Sequence, residues 1–317
     1  MEQNQDTHQS GKAGRLIPIG LTVVIFIIIF WRIPFGEFVL AISKARLAPF
    51  LVLMGCFSIC FFLMDTFVLS RMIRWFHGPL TFPTLLPVRA VTYVVSIINT
   101  QLAQVALALY FHRRFQTPLA EITSTVAMLI LLEVTNLISF ATIGLIAFPG
   151  GAPLVLFALP AGLACFWLLI TQVARGGLGA LGAKIGGHTL LNTFRAVRFR
   201  QGVTVLALKG SVFLLSLFVH KYALTLFGMD IPLLQLLTFL PLVFMIGALP
   251  VTVAHLGTSQ AAWIFFFKDY AAEADLLAYS LVSHLTFMLA NGTIGLLFMP
   301  KAYSDLFGKG RAVQERL

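Results

Sequence analysis

Charged residues are scarce in this chain of 317: Asp, Glu, Lys and Arg together make up 11%. A water-soluble domain carries roughly one quarter, because charge has to cover its surface, so a soluble globular protein is excluded. Cysteine is scarcer still. The three, Cys56, Cys60 and Cys165, lie inside apolar stretches; Cys56 and Cys60 sit one helical turn apart, a spacing open to metal or redox work, but they read as small, soft packing residues. Alternation of apolar and polar residues at period two is missing, which removes an outer-membrane barrel. Also missing are HExxH, CxxC, a Walker lysine loop, a dinucleotide glycine fingerprint and a Gly-x-Ser-x-Gly elbow. His112, His188, His220, His255 and His284 are scattered without metal-ligand spacing. No metal or other cofactor is expected, and an enzyme finds no support.

What the chain has in abundance is apolar length. Hydrophobic residues make up 59% and the mean hydropathy is +0.93. A spanning helix needs about 20 mostly apolar residues, and helices are the remaining way to satisfy backbone polar groups in lipid. The fold class expected is an all-α integral membrane protein. Six full transmembrane helices are read at roughly 16–33, 47–70, 118–147, 151–173, 202–225 and 275–299. Residues 1–15 form a polar N-terminus, 16–300 a single polytopic domain, and 301–317 a basic tail. Leu16–Trp31 is read as a retained first helix, since no small-residue cleavage site follows it.

The net charge of +10 does not indicate nucleic acid, because the basic residues cluster at the ends of apolar segments. Arg71/Arg74, Arg113/Arg114, Arg175–Arg200 and Lys301–Arg316 fit loops that meet anionic headgroups on the cytoplasmic side. The connection 174–201 is the longest polar one. Placed on a helix, its Leu190, Leu191, Phe194 and Val197 gather towards one side while Arg195, Arg198 and Arg200 supply charge, as in an interfacial amphipathic segment; a plain topology-setting loop remains the alternative. With that loop inside, both termini are cytoplasmic. One stretch disagrees: loop 32–46 carries Arg32, Lys44 and Arg46 yet falls outside.

Two further apolar regions, 88–111 and 231–267, are interrupted by polar, Gly and Pro residues. For the topology to close, each must enter and leave by the same face, and the two faces are opposite. Broken backbone at membrane depth is tolerated only where it is buried in protein or lines a wet cavity. Gln104 followed by seven apolar residues and His112 echoes Gln260 followed by seven and Lys268. Two opposed re-entrant hairpins would form an inverted repeat, the arrangement of alternating access.

Ionisable groups inside apolar spans are functional candidates by default. The sharpest is Glu133, with Asn136 on the same helical face. Lys209 lies a few residues inside its helix and either pairs with a carboxylate or snorkels. Asp65 is expected to pair with nearby Arg71. His284, one turn from Ser280, reads as a hydrogen-bonded core residue.

The segment SIINTQLAQVALALYFHRRFQTPLAEITSTVAMLILLEVTNL resembles the first signature of the lysylphosphatidylglycerol synthase transmembrane region, or flippase-like, superfamily. Asn99 and Glu133 fit that signature, and Ala103-Gln104 stands where Gly-Glu is expected. PVTVAHLGTSQAAWIFFF is similar to the second signature: Pro250 and Gly257 match, and Ser259-Gln260 replaces Arg-Glu. The resemblance runs over roughly 15–305. It implies a bacterial inner-membrane protein that handles lipid or lipid-linked substrates and lacks the soluble synthase domain of two-domain relatives. Gln at both acidic positions keeps hydrogen-bonding capacity and loses charge, which points away from a lysine-bearing lipid and towards an ordinary phospholipid or a polyprenyl-linked carrier. The expected function is lipid translocation. Asn99, Gln101, Gln104, Ser259 and Gln260 would line a polar groove, Lys209 would contact phosphate, and Glu133 with Asn136 would couple or gate. Two alternatives stay open: a non-transporting accessory or scaffold subunit of an envelope-biosynthesis enzyme, which leaves room for a homo-oligomer or a partner protein, and an intramembrane lipid-modifying enzyme.

Overall fold

In the computed structural model, residues 20–98, 100–148, 154–177, 187–249 and 251–303 are described. They form twelve α-helices and no strand: α1 (Gly20–Arg32), α2 (Phe35–Lys44), α3 (Leu47–Phe76), α4 (Phe82–Ile98), α5 (Thr100–Phe115), α6 (Leu119–Ala147), α7 (Ala158–Ala174), α8 (Asn192–Ala196), α9 (Phe199–Thr225), α10 (Leu233–Gly247), α11 (Thr258–Phe267) and α12 (Glu273–Tyr303). Five are long and apolar enough to cross a bilayer: α3, α6, α7 with the turn before it, α9 and α12. The chain is a multi-pass, all-helical membrane protein.

Proline places several boundaries. Pro34, Pro118 and Pro232 stand immediately before α2, α6 and α10 with extended ψ; proline lacks the N–H that would continue a preceding helix, and it biases the residue before it away from helix. At Pro34 the effect is a bend of 85° between α1 and α2. The expected straight span at 16–33 is therefore corrected to a bent pair, which brings the candidate spans to six if it counts as one. The expected loop 32–46 is mostly α2. Its misplaced charge has a partner, since Arg32 is ion-paired to Glu273 at the start of α12.

Glycine sets the closest helix approaches. A Cβ on Gly144 of α6 would lie 2.7 Å from the Cα and 2.8 Å from the backbone nitrogen of Thr238 on α10. On Gly295 of α12 it would lie 2.6 Å from the carbonyl oxygen of Ala90 on α4. Between membrane helices, where lipid is as apolar as leucine, such close backbone packing is a main source of association. The three cysteines, expected as packing residues, are all exposed on the flank of the bundle.

The two interrupted regions form pairs of short packed helices, α4 with α5 and α10 with α11. The first pair begins and ends at the end of the bundle that carries Arg74, Arg113 and Arg114, hereafter the basic end. The second begins and ends at the other. Val253–His255, in the turn of the second pair, packs on α4. That turn holds Ala254 and His255 at φ 50° and 61°, a left-handed conformation unusual for side chains of this kind. Its Gly257, at φ 91°, faces Ile25 of α1.

Among its described residues, the basic connection is helical over α8, with the 3-10 turn Thr189–Leu191 before it; residues 178–186 lie outside the described part. Phe194 and Val197 pack against a buried cluster of Val68, Met72, Met128, Leu132 and Val205. Leu190, expected on the same side, is 42% exposed. Polar bonds pin α8 to α6: Thr193 N–H donates to Ser124 Oγ at 3.0 Å, and Asn192 Nδ2 to Glu121 Oε1 at 2.8 Å.

Candidate functional site

Four charged side chains from four helices meet inside the bundle. Asp65 on α3 is 5% exposed, and its Oδ2 accepts from Arg89 Nε at 2.9 Å, from Arg89 Nη2 at 2.6 Å and from Tyr93 OH at 3.1 Å. Both donors come from α4, one turn apart, and the Arg89 guanidinium also lies 5.0 Å from the Tyr93 ring centre. Lys209 Nζ on α9 reaches Asp65 Oδ1 at 2.9 Å and Glu133 Oε2 on α6 at 3.1 Å. Two carboxylates and two cations leave the group formally neutral. That balance is what permits such burial, because an unpaired charge away from water costs several kcal/mol.

The members differ in access. The side chains of Asp65 and Lys209 are 7% and 9% exposed, while Glu133 is 50% exposed and opens to the flank of the bundle. Lys209 is held by two acids that face different surroundings, one enclosed by protein and one at its edge. Beside them is a cavity of about 40 Å³ lined by Asp65, Arg89, Gln104, Glu133 and Lys209 together with apolar residues of α3, α5 and α6. About 10–15 Å³ of such space is enough to hold one water, so the cavity accommodates water and is too small for a lipid headgroup.

Of the residues singled out in the sequence, Gln104, Glu133 and Lys209 are brought together here. Lys209 pairs; it does not snorkel. Asn136 is buried at 6%, one turn further along α6, with its Oδ1 against Gly210. Gln260 is elsewhere: it is fully buried at the start of α11, its Oε1 accepting the Gly257 N–H at 2.6 Å while its Nε2 has no partner among the described residues. Ser259 faces Gly247. Neither lines the cavity that holds Gln104. Asn99 lies outside the described residues, and of Gln101 only the helical backbone is described. The expected Asp65–Arg71 pair is corrected: Asp65 faces inward to Arg89 and Lys209, and Arg71 sits over the Phe67 ring at 5.2 Å. His284 is partly buried on α12.

Arg89 and Tyr93 are not among the sequence candidates, because an arginine at the start of the apolar region 88–111 reads as a boundary charge. The helix begins at Phe82, so Arg89 is two turns inside it. Pro83 was the available signal, since proline is tolerated in the first turn of a helix; Pro87 lies inside the helix, in its second turn. Among the described residues no group of three or more His, Cys, Asp or Glu could hold a metal.

Compared with known protein families and with characterised proteins, the chain matches none. The likeness to the flippase-like superfamily rests on the quoted motif residues alone.

Proposed function

We propose that this protein is a flippase-like translocase of a phospholipid or lipid-linked carrier in a bacterial inner membrane, with the basic end cytoplasmic. The observation that carries the reading is the sharing of Lys209 between the enclosed Asp65 and the half-exposed Glu133. A neutral network of four charges is expensive to keep in a membrane and is a hallmark of substrate or proton pathways. The short helix pairs α4–α5 and α10–α11, which start at opposite ends and meet where the second turn packs on α4, support two re-entrant hairpins related as an inverted repeat.

In this reading the described state is closed, since about 40 Å³ excludes a headgroup. Opening separates α6 from α9 and breaks the Lys209–Glu133 bond, the more exposed link of the network. Lys209 then offers its charge to a substrate phosphate, Gln104 hydrogen-bonds the headgroup, and Arg89 keeps Asp65 compensated. Acyl tails stay in the bilayer. Gln260 stabilises the second turn and does not touch substrate.

Transport of fluorescent phospholipid in proteoliposomes tests this. Glu133→Gln should abolish movement while expression and folding persist; wild-type rates in that variant would refute the role of Glu133. Loss of transport in Gln104→Ala with a lysine-bearing lipid as the moved species would overturn the substrate assignment.

A second reading, a scaffold subunit, is favoured by α7. Within its spanning window no residue is buried inside the protein, and Ala161, Gly162 and Cys165 lie on it with open space around Gly162. Small residues let membrane helices approach closely. Full transport activity of the purified chain alone would decide against this reading.

A further inference from the structure

A second feature lies on the outer seam of the bundle, where α3 and α9 run antiparallel. Leu63, Met64, Phe67 and Val68 of α3 face Leu208 and Ser211 of α9 across an apolar groove of about 210 Å³. Leu63 is 40% and Phe67 37% exposed, and Ser211 is exposed, so the groove opens sideways. It is separate from the charged network: Lys209 and Asp65 are the chain neighbours of Leu208 and Met64, but their side chains point inward to each other.

The helical period carries the groove towards the basic end. On α9, Ser211, Leu208, Thr204 and Arg200 follow at three- and four-residue spacing and share a face; on α3, Met64, Phe67, Val68 and Arg71 do the same. Asp65 and Lys209 mark a common level. From there, at a rise of about 1.5 Å per residue, Arg71 lies about 9 Å and Arg200 about 13 Å nearer the basic end. Both are exposed, and neither forms an ion pair with a described residue. Arg71 is stacked over Phe67 at the groove rim, which places its charge at the mouth.

We infer that the α3–α9 seam binds one anionic phospholipid, with an acyl chain in the groove and its phosphate between Arg71 and Arg200. The apolar part suits a hydrocarbon chain, since a cavity of roughly 150 Å³ already takes a benzene-sized guest. Unpaired basic residues at headgroup level attract anionic lipid, and two of them select for it over a zwitterionic lipid of the same chains by roughly thirtyfold. The inference concerns binding and holds whether or not the protein moves lipid.

Native mass spectrometry of the detergent-purified protein, titrated separately with phosphatidylglycerol and phosphatidylcholine of identical chains, tests it. One phosphatidylglycerol should be retained with roughly thirtyfold preference. Arg71→Gln with Arg200→Gln should remove the preference, while Arg113→Gln with Arg114→Gln leaves it intact. Ser211→Trp, an exposed position that fills the groove, should weaken both lipids without unfolding the protein. Equal binding of the two lipids by the wild type overturns the site, as does a folded Arg71/Arg200 variant that keeps the preference, or a Ser211→Trp protein that binds as before.

Discussion

Replacing Asp65 by Asn removes the one acid that both cations share. The carboxylate accepts four hydrogen bonds, two from Arg89, one from Tyr93 and one from Lys209. An amide of the same shape keeps one oxygen, turns the other into a donor aimed at cations, and leaves Arg89, Lys209 and Glu133 with a net charge of +1. Breaking a buried charge pair from one side costs about 3–5 kcal/mol. At about 2–4 °C per kcal/mol for chains somewhat shorter than this one, the melting temperature should fall on the order of 10 °C. Thermal unfolding in one detergent at one scan rate reads the shift, a fixed rate being needed because membrane proteins often unfold irreversibly. A second variant isolates charge balance from lost hydrogen bonds. Adding Lys209→Met to Asp65→Asn leaves Arg89 and Glu133 and restores neutrality, so the double variant should melt above the single one. Adding Glu133→Gln instead raises the net charge to +2 and should melt lowest. An Asp65→Asn protein as stable as wild type, or a Lys209→Met double variant no better than the single, would refute the argument that neutrality holds this group together.

Other consequences follow from packing and titration. Gly144→Ala and Gly295→Ala each drive a methyl into the backbone of a neighbouring helix and should cost about 1–3 kcal/mol, whereas Gly162→Ala, with open space around it, should not destabilise; melting curves of the three variants compare them directly. His77, just beyond the end of α3, accepts or donates at 2.7 Å to Thr125. Burial lowers its pKa below the ordinary 6.5, against a smaller opposing pull from Glu121. With the folded value below the unfolded one, the unfolded chain takes up the proton first as pH falls past 6.5, so stability present at neutral pH declines towards pH 5. His77→Gln should flatten that decline, and an unchanged pH profile would count against it.

The likeness between the expected and observed elements is greatest where the information is local. The spans at 47–70, 118–147, 202–225 and 275–299 reappear as α3, α6, α9 and α12, because hydropathy over about 20 residues is a property of a continuous stretch. Interruptions at 88–111 and 231–267 were legible for the same reason: polar, Gly and Pro residues break an apolar run wherever it folds. Glu133 and Lys209 were conspicuous as charges among apolar neighbours. Their partners were not. Lys209 meets Asp65 across 144 positions and Glu133 across 76, and the sequence offered nearby Arg71 as a more economical match for Asp65. Hydropathy also cannot see that Pro34 turns α1 through 85° into α2, or that Gln104 and Gln260, alike in their local strings, end in separate surroundings.

The amino-acid sequence alone thus determined that this is a helical membrane protein, where most of its long apolar helices lie and which charges fall within them, since hydropathy is a property of each segment by itself. Only the tertiary structure decided which charges neutralise one another, which acid stays half open to the flank, and which side chains of α3 and α9 face each other across one groove. Those are relations between helices, fixed by antiparallel register and by close contacts at Gly144 and Gly295, and no single segment contains them.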